Sequence, residues 1–139
     1  MKLFVALALA CAMTGLNAQS KLSKEDTLHL KHMSEADRAG VEASKVASQK
    51  ASHPEVKKFG EKVAAQHTKM LEEGKQLAQK KGVKPDENVD GKHKKNLQDL
   101  NAKSGDQFDR EYMEQMVQDH EGVMTMAAKI AQDAKDPDV

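Results

Sequence analysis

Apolar side chains recur along most of this chain at intervals of three and four residues, the spacing that lines one face of an α-helix. No stretch alternates with the two-residue period of a strand. The first helical stretch runs from about Ser23 to Ala51, with Leu30, Met33, Ala36, Ala39, Ala43, Val46 and Ala47 as a weak, mostly alanine stripe. Ser23 with Asp26 three residues later resembles a capping box. The second stretch opens at Pro54, a residue suited to the first helical position, with Ser52 or His53 as cap. Its stripe is Val56, Phe59, Val63, His67, Met70, Gly74 and Leu77, and Lys80-Lys81-Gly82 is a helix stop. A polar connector with Pro85 leads to a short helix over about Lys92 to Lys103, with Leu97 and Leu100 inward. The last stretch runs from about Asp106 to Ala134, with Phe108, Tyr112, Met116, His120, Val123, Ala127, Ile130 and Ala134 on its inner face.

Two echoes run through this pattern. The shift that carries Phe59 onto Tyr112 also carries His67 onto His120. Separately, His53-Pro54-Glu55-Val56 is echoed by Asp136-Pro137-Asp138-Val139. The first copy opens a helix; the second stands where another would open. The pattern predicts a C-terminally incomplete bundle, either a fragment or a shortened natural form. An unrelated Asp-Pro tail would read the same way, because proline is common just past helix ends.

The N-terminus changes the compartment. Lys2, an uncharged run from Leu3 to Met13 and a small residue at Ala18 have the layout of a secretory signal peptide over 1–18, cut after Ala18. The run is far shorter than the roughly 20 residues a membrane span needs. Cys11 lies inside it with Ala8 three places earlier, which does not fit a lipid-anchor cysteine. The expected product is a periplasmic or secreted domain over 19–139 with no cysteine, hence no disulfide, thiol nucleophile or thiolate metal site.

Composition narrows the function. Lysine and arginine number 22 against 22 aspartates and glutamates, so losing Lys2 leaves the mature chain at about −1. No basic excess favours a polyanion, and Phe59, Phe108 and Tyr112 are the only mature aromatics, so nucleic-acid binding is not expected. The paired lysines Lys57-Lys58, Lys80-Lys81 and Lys94-Lys95 read as solvated faces, as do His29, His32, His53 and His93. No catalytic triad or nucleotide loop is legible, and the chain is not expected to be an enzyme.

Several pieces, taken in order, resemble one family. They are Glu42-Ala43-Ser44-Lys45-Val46-Ala47, Ser52-His53-Pro54-Glu55-Val56, Gln66-His67-Thr68, Ser104-Gly105-Asp106-Gln107-Phe108-Asp109-Arg110-Glu111-Tyr112 and Met116-Val117-Gln118-Asp119-His120. Together they resemble the DUF4142 family of exported bacterial proteins of unassigned function, grouped with ferritin-like helical bundles. Gln66 departs from the family's usual aspartate. The resemblance implies an all-α, antiparallel ferritin-like four-helix bundle, of which this chain supplies three long helices and one short one. It also implies a further helix past the Asp-Pro element. Without that helix, apolar stripes stay open, which predicts marginal stability or a homodimer.

Candidate chemistry centres on His67 and His120, inward on two helices, with Glu42 on a third. They form either a structural polar cluster or a metal site in the bundle core. A ferritin-type di-iron centre needs Glu-x-x-His, and Ala64 and Val117 stand where the glutamates would be. Met116 and Met124 flank His120 at spacings of four and suit copper, although methionine also fills irregular cores. Two functions therefore stand: a non-enzymatic structural, interaction or envelope-stress protein needing no cofactor, or a metal-binding protein holding iron or copper through Glu42, His67, His120 and the methionines.

Overall fold

The computed structural model describes residues 22–85 and 87–139; the expected signal segment over 1–18 and Cys11 lie outside the described residues. Four helices follow in order: α1 (Lys24–Lys50), α2 (Pro54–Lys80), α3 (Gly91–Asn101) and α4 (Gly105–Asp133), with no strand among the described residues. The all-α expectation therefore holds, and no described helix is long and apolar enough to cross a membrane.

Local chemistry sets the helix ends. Ser23 Oγ accepts the Asp26 N–H at 3.0 Å and caps α1. Pro54 opens α2 with His53 as its cap, and Gly82, at φ +71°, closes it. There the Val83 N–H reaches the Ala78 carbonyl at 2.8 Å, which satisfies an orphan carbonyl of the last turn. The Asp90 carboxylate caps α3 through the His93 N–H at 2.8 Å.

The alanine-rich part of α1 forms a close seam with α2. α1 and α2 form an antiparallel hairpin whose backbones nearly touch at Gly60: a Cβ there would lie 2.9 Å from both the Ser44 carbonyl oxygen and the Ser48 nitrogen. Only small residues permit such an approach, and Ala43, Ser44 and Ala47 supply them from α1. The seam is also rotated from the expected stripe. Asp37, Gly40, Val41 and Ser44 are buried, while Leu30, Met33, Ala36 and Ala39 are only half-buried. Counting apolar residues overlooks a face built from glycine, serine and a paired aspartate.

The apolar core gathers at the loop end of this hairpin. Ala47, Leu100, Phe108 and Tyr112 are all fully buried there. Tyr112 stacks on Phe108 at 6.4 Å, meets Phe59 edge-on at 6.2 Å, and shares a 2.9 Å hydrogen bond with Ser44. Burial pushes the Tyr112 phenol above its ordinary range, partly opposed by that bond.

α4 lies antiparallel to α1, as Ser44–Tyr112 at one level and Asp26–Lys135 at another require. It runs in the same direction as α2, because Phe59 meets Tyr112 and, farther along both helices, His67 meets His120. The connector bearing α3 therefore returns the chain along the bundle, the long crossover compatible with a ferritin-like arrangement.

This topology separates the two sequence echoes. The Phe59/Tyr112 and His67/His120 echo is a register of contact: the matched residues touch across α2 and α4. The proline echo is a structural repeat. The shift that carries Pro54 onto Pro137 carries Asp26 onto Asp109, Met33 onto Met116, Asp37 onto His120 and Ala51 onto Ala134. Asp109 accepts the N–H groups of Ser52 and His53 at 3.0 and 2.7 Å. Asp26 does the same for Lys135 at 3.0 Å, and that bond holds its carboxyl below the usual range. Beyond it, Asp136 caps the Asp138 N–H at 2.9 Å, so residues 135–139 repeat the opening of α2 in hydrogen bonding as well as in sequence.

Candidate functional site

One step past the aromatic core, α1, α2 and α4 line an open groove of about 550 Å³, to which Lys92 and His93 of α3 also contribute. His67 and His120 face each other in it, ring centroids 5.5 Å apart and planes at 77°. Met116, Met70 and Val123 supply apolar lining.

Both imidazoles are oriented by a partner behind them. His67 Nδ1 lies 2.9 Å from Asp37 Oδ1, with side-chain exposures of 13% and 9% that shelter the contact from water. An ionised carboxylate only accepts, so the proton sits on Nδ1. His120 Nδ1 lies 2.7 Å from the Met116 carbonyl oxygen, also a pure acceptor, and the same inference holds. In the neutral ring each Nε2 then carries the free lone pair. The groove thus contains two imidazole acceptors, both fixed in the same tautomer by different elements.

Gly40 makes this placement possible. A Cβ there would stand 2.9 Å from His67 Nδ1 and 3.0 Å from its Cγ and Cε1, so the ring lies flat against the α1 backbone only because glycine leaves the space. Sequence reasoning missed both Gly40 and Asp37. The available signal was their helical spacing from Ser44 along α1, where they continue the small-residue seam.

The expected metal set divides in the structure. His67, His120 and Met116 come together in the groove lining. Glu42 is half-buried on α1 but outside that lining, and Asp37 holds the place expected of it. Helical geometry explains this: five residues from Asp37 turn Glu42 roughly 140° around the axis. Met124 is 72% exposed and also outside the lining, although Met116 is buried. Among the described residues, no group of three or more histidines, cysteines, aspartates or glutamates converges to hold a metal ion. His93 is not simply solvated, since it lines the groove and pairs with Asp90 at 3.0 Å.

A second charged cluster fixes the far end. Lys81 Nζ donates to both Asp136 oxygens at 2.7 Å and meets Asp138 Oδ2 at 2.8 Å. These contacts hold both carboxyls below, and the ammonium above, their ordinary ranges. The cluster ties residues 135–139 to the end of α2.

A family model described as Domain of unknown function (DUF4142) matches residues 11–139. No curated protein and no solved structure matches the chain.

Proposed function

The chain belongs to the DUF4142 family, and from that premise we propose that it is an exported, non-enzymatic bundle whose working surface is the groove between α1, α2 and α4. The export half of this reading rests on the charged, apolar and small-residue layout of residues 1–18. Its destination is the periplasm or the medium, with a role in envelope maintenance or stress.

The binding half rests on one observation: two imidazoles, His67 half-buried and His120 exposed, each oriented through Nδ1 on the wall of an open groove whose lining mixes apolar and charged residues. A concave apolar surface with a few oriented polar groups is the usual form of a ligand site. The reading as a binder rests on how the two rings are held. Their nearest partners are a carboxylate and a backbone carbonyl, which orient without reacting.

Gly122 provides the test. It lines the groove, and a Cβ built there meets nothing within 4 Å, so a large side chain fills the groove without displacing a helix. In the host that encodes the protein, a deletion strain under envelope stress should be restored by wild-type chain and not by Gly122→Trp, with both recovered outside the cytoplasm beginning at Gln19. Full restoration by the folded Gly122→Trp protein would refute the groove as the working surface. Retention of both in the cytoplasm would refute export.

A further inference from the structure

We propose that His67 and His120 jointly bind one late first-row transition-metal ion through their Nε2 atoms, with Asp37 as the carboxylate that orients His67. The inference deepens the groove reading above and rests on it.

Three observations converge. The first is the tautomers: both Nδ1 atoms are bonded, so both Nε2 atoms are the coordinating ones. A ligating histidine typically donates its other ring N–H to a carboxylate or backbone carbonyl, and here one ring has each kind of partner.

The second is spacing. A zinc-like ion stands about 2.0–2.1 Å from imidazole nitrogen, and adding about 1.1 Å to the ring centre places each centroid roughly 3.2 Å from the metal. Centroids 5.5 Å apart then subtend an angle of about 120° at the ion. That lies between tetrahedral and trigonal values, at a separation that an edge-to-face pair of rings also adopts without a metal.

The third is rigidity. α2 carries His67 and α4 carries His120 at one level, and the Gly40 gap locks the first ring against α1. Packing therefore fixes His67, while His120, exposed at the groove wall, is held by the Met116 carbonyl; both stand on helices and need no loop to bring them together.

The chemistry selects the ion. Imidazole nitrogen suits zinc and copper, while Asp37 is committed to His67. Glu73 and Asp119 also line the groove, but the oriented donors are the two ring nitrogens, which favour a late transition metal over oxygen-seeking magnesium and calcium. With two protein ligands, the remaining positions fall to water or to an incoming ligand in the open groove, unlike a closed structural site with four protein ligands.

The experiment is titration of the exported chain, purified without a histidine tag, with Zn(II) and separately with Cu(II) against a competing chromogenic chelator. The expected result is one equivalent of either ion, with Cu(II) the tighter. His67→Gln and His120→Gln should each lose that equivalent. Asp37→Asn should weaken it about 10- to 100-fold while leaving the stoichiometry at one. His32→Gln, on an exposed α1 position outside the groove, should change nothing. Circular dichroism of each variant separates loss of a ligand from loss of the fold. No uptake by the wild-type chain, or an equivalent that survives the folded His67→Gln/His120→Gln double variant, would overturn the proposal. Failure here with Gly122→Trp still inactive in the cell would remove the metal and leave the groove. Full activity of Gly122→Trp would remove the groove itself.

Discussion

Gly60 and Gly122 are both helical glycines, and replacing each by alanine should move stability in opposite directions. In isolation either change is favourable by about 0.5–1 kcal/mol, because alanine loses less backbone entropy on forming helix. At Gly122 a Cβ meets nothing within 4 Å, so that gain should appear in full. At Gly60 the Cβ would stand 2.9 Å from the Ser44 oxygen and the Ser48 nitrogen and 3.0 Å from the Ala47 Cβ. Two of these three atoms are backbone and cannot rotate aside. Relief requires α1 and α2 to separate, and overpacking of this kind costs about 1–3 kcal/mol. Since the helix-forming term is common to both variants, the difference between them isolates the packing term at about 1–3 kcal/mol. Urea denaturation followed by far-ultraviolet circular dichroism measures it, with an unchanged slope confirming that the unfolded states match. Gly122→Ala should have a higher midpoint than wild type and Gly60→Ala a lower one. If both variants rose together, the close seam between α1 and α2 would be refuted.

Three further outcomes follow from other contacts. Asp109→Ala removes the two charge-assisted hydrogen bonds that its buried carboxylate accepts at the start of α2; urea unfolding should show a loss of about 3 kcal/mol, and less for Asp109→Asn, which keeps one acceptor. Tyr112→Phe should cost about 1 kcal/mol, and the Ser44→Ala/Tyr112→Phe double variant less than the sum of its parts, because no polar atom is then left unpaired. The tail should loosen in acid. The folded-state carboxyls of Asp26, Asp136 and Asp138 are lowered, so their anchoring is complete above the ordinary carboxylate range and is lost as pH falls through the lowered values. Lys81, whose value is raised, contributes below the ordinary lysine range and loses its contribution only as pH rises through its raised value. Amide exchange at Lys135 and Asp138, slow at neutrality and fast in acid, would show this; exchange indifferent to pH after correction for intrinsic rates would contradict it.

Helix identity was legible in the sequence because caps and stops carry strong local chemistry: Ser23, Pro54 and Lys80-Lys81-Gly82 all act where their types predict. The paired histidines were legible for a similar reason, since an imidazole on an apolar stripe stands out. Their partner was not. Glu42 attracts attention beside an alanine-rich turn, whereas Asp37 lies between Ala36 and Arg38 and becomes inward only through the rotation of α1 that Gly40, Ser44 and Gly60 impose. Asp26 shows the same limit. Three residues past Ser23, it reads as part of a local cap, yet its carboxylate reaches across the bundle to the Lys135 N–H. Periodicity shows which residues share a face. It does not show which face another helix will approach closely when the residues involved are small.

The central claim is that His67 and His120 both present an unprotonated Nε2 to the groove. Long-range proton–nitrogen correlation of the imidazole rings tests it directly in uniformly ¹⁵N-labelled protein at about pH 8, above the ordinary histidine range. The account predicts that both residues are Nδ1–H tautomers, with Nε2 resonating as a bare acceptor that shifts when one equivalent of Zn(II) is added. A protonated Nε2 on either ring in the metal-free protein would contradict it.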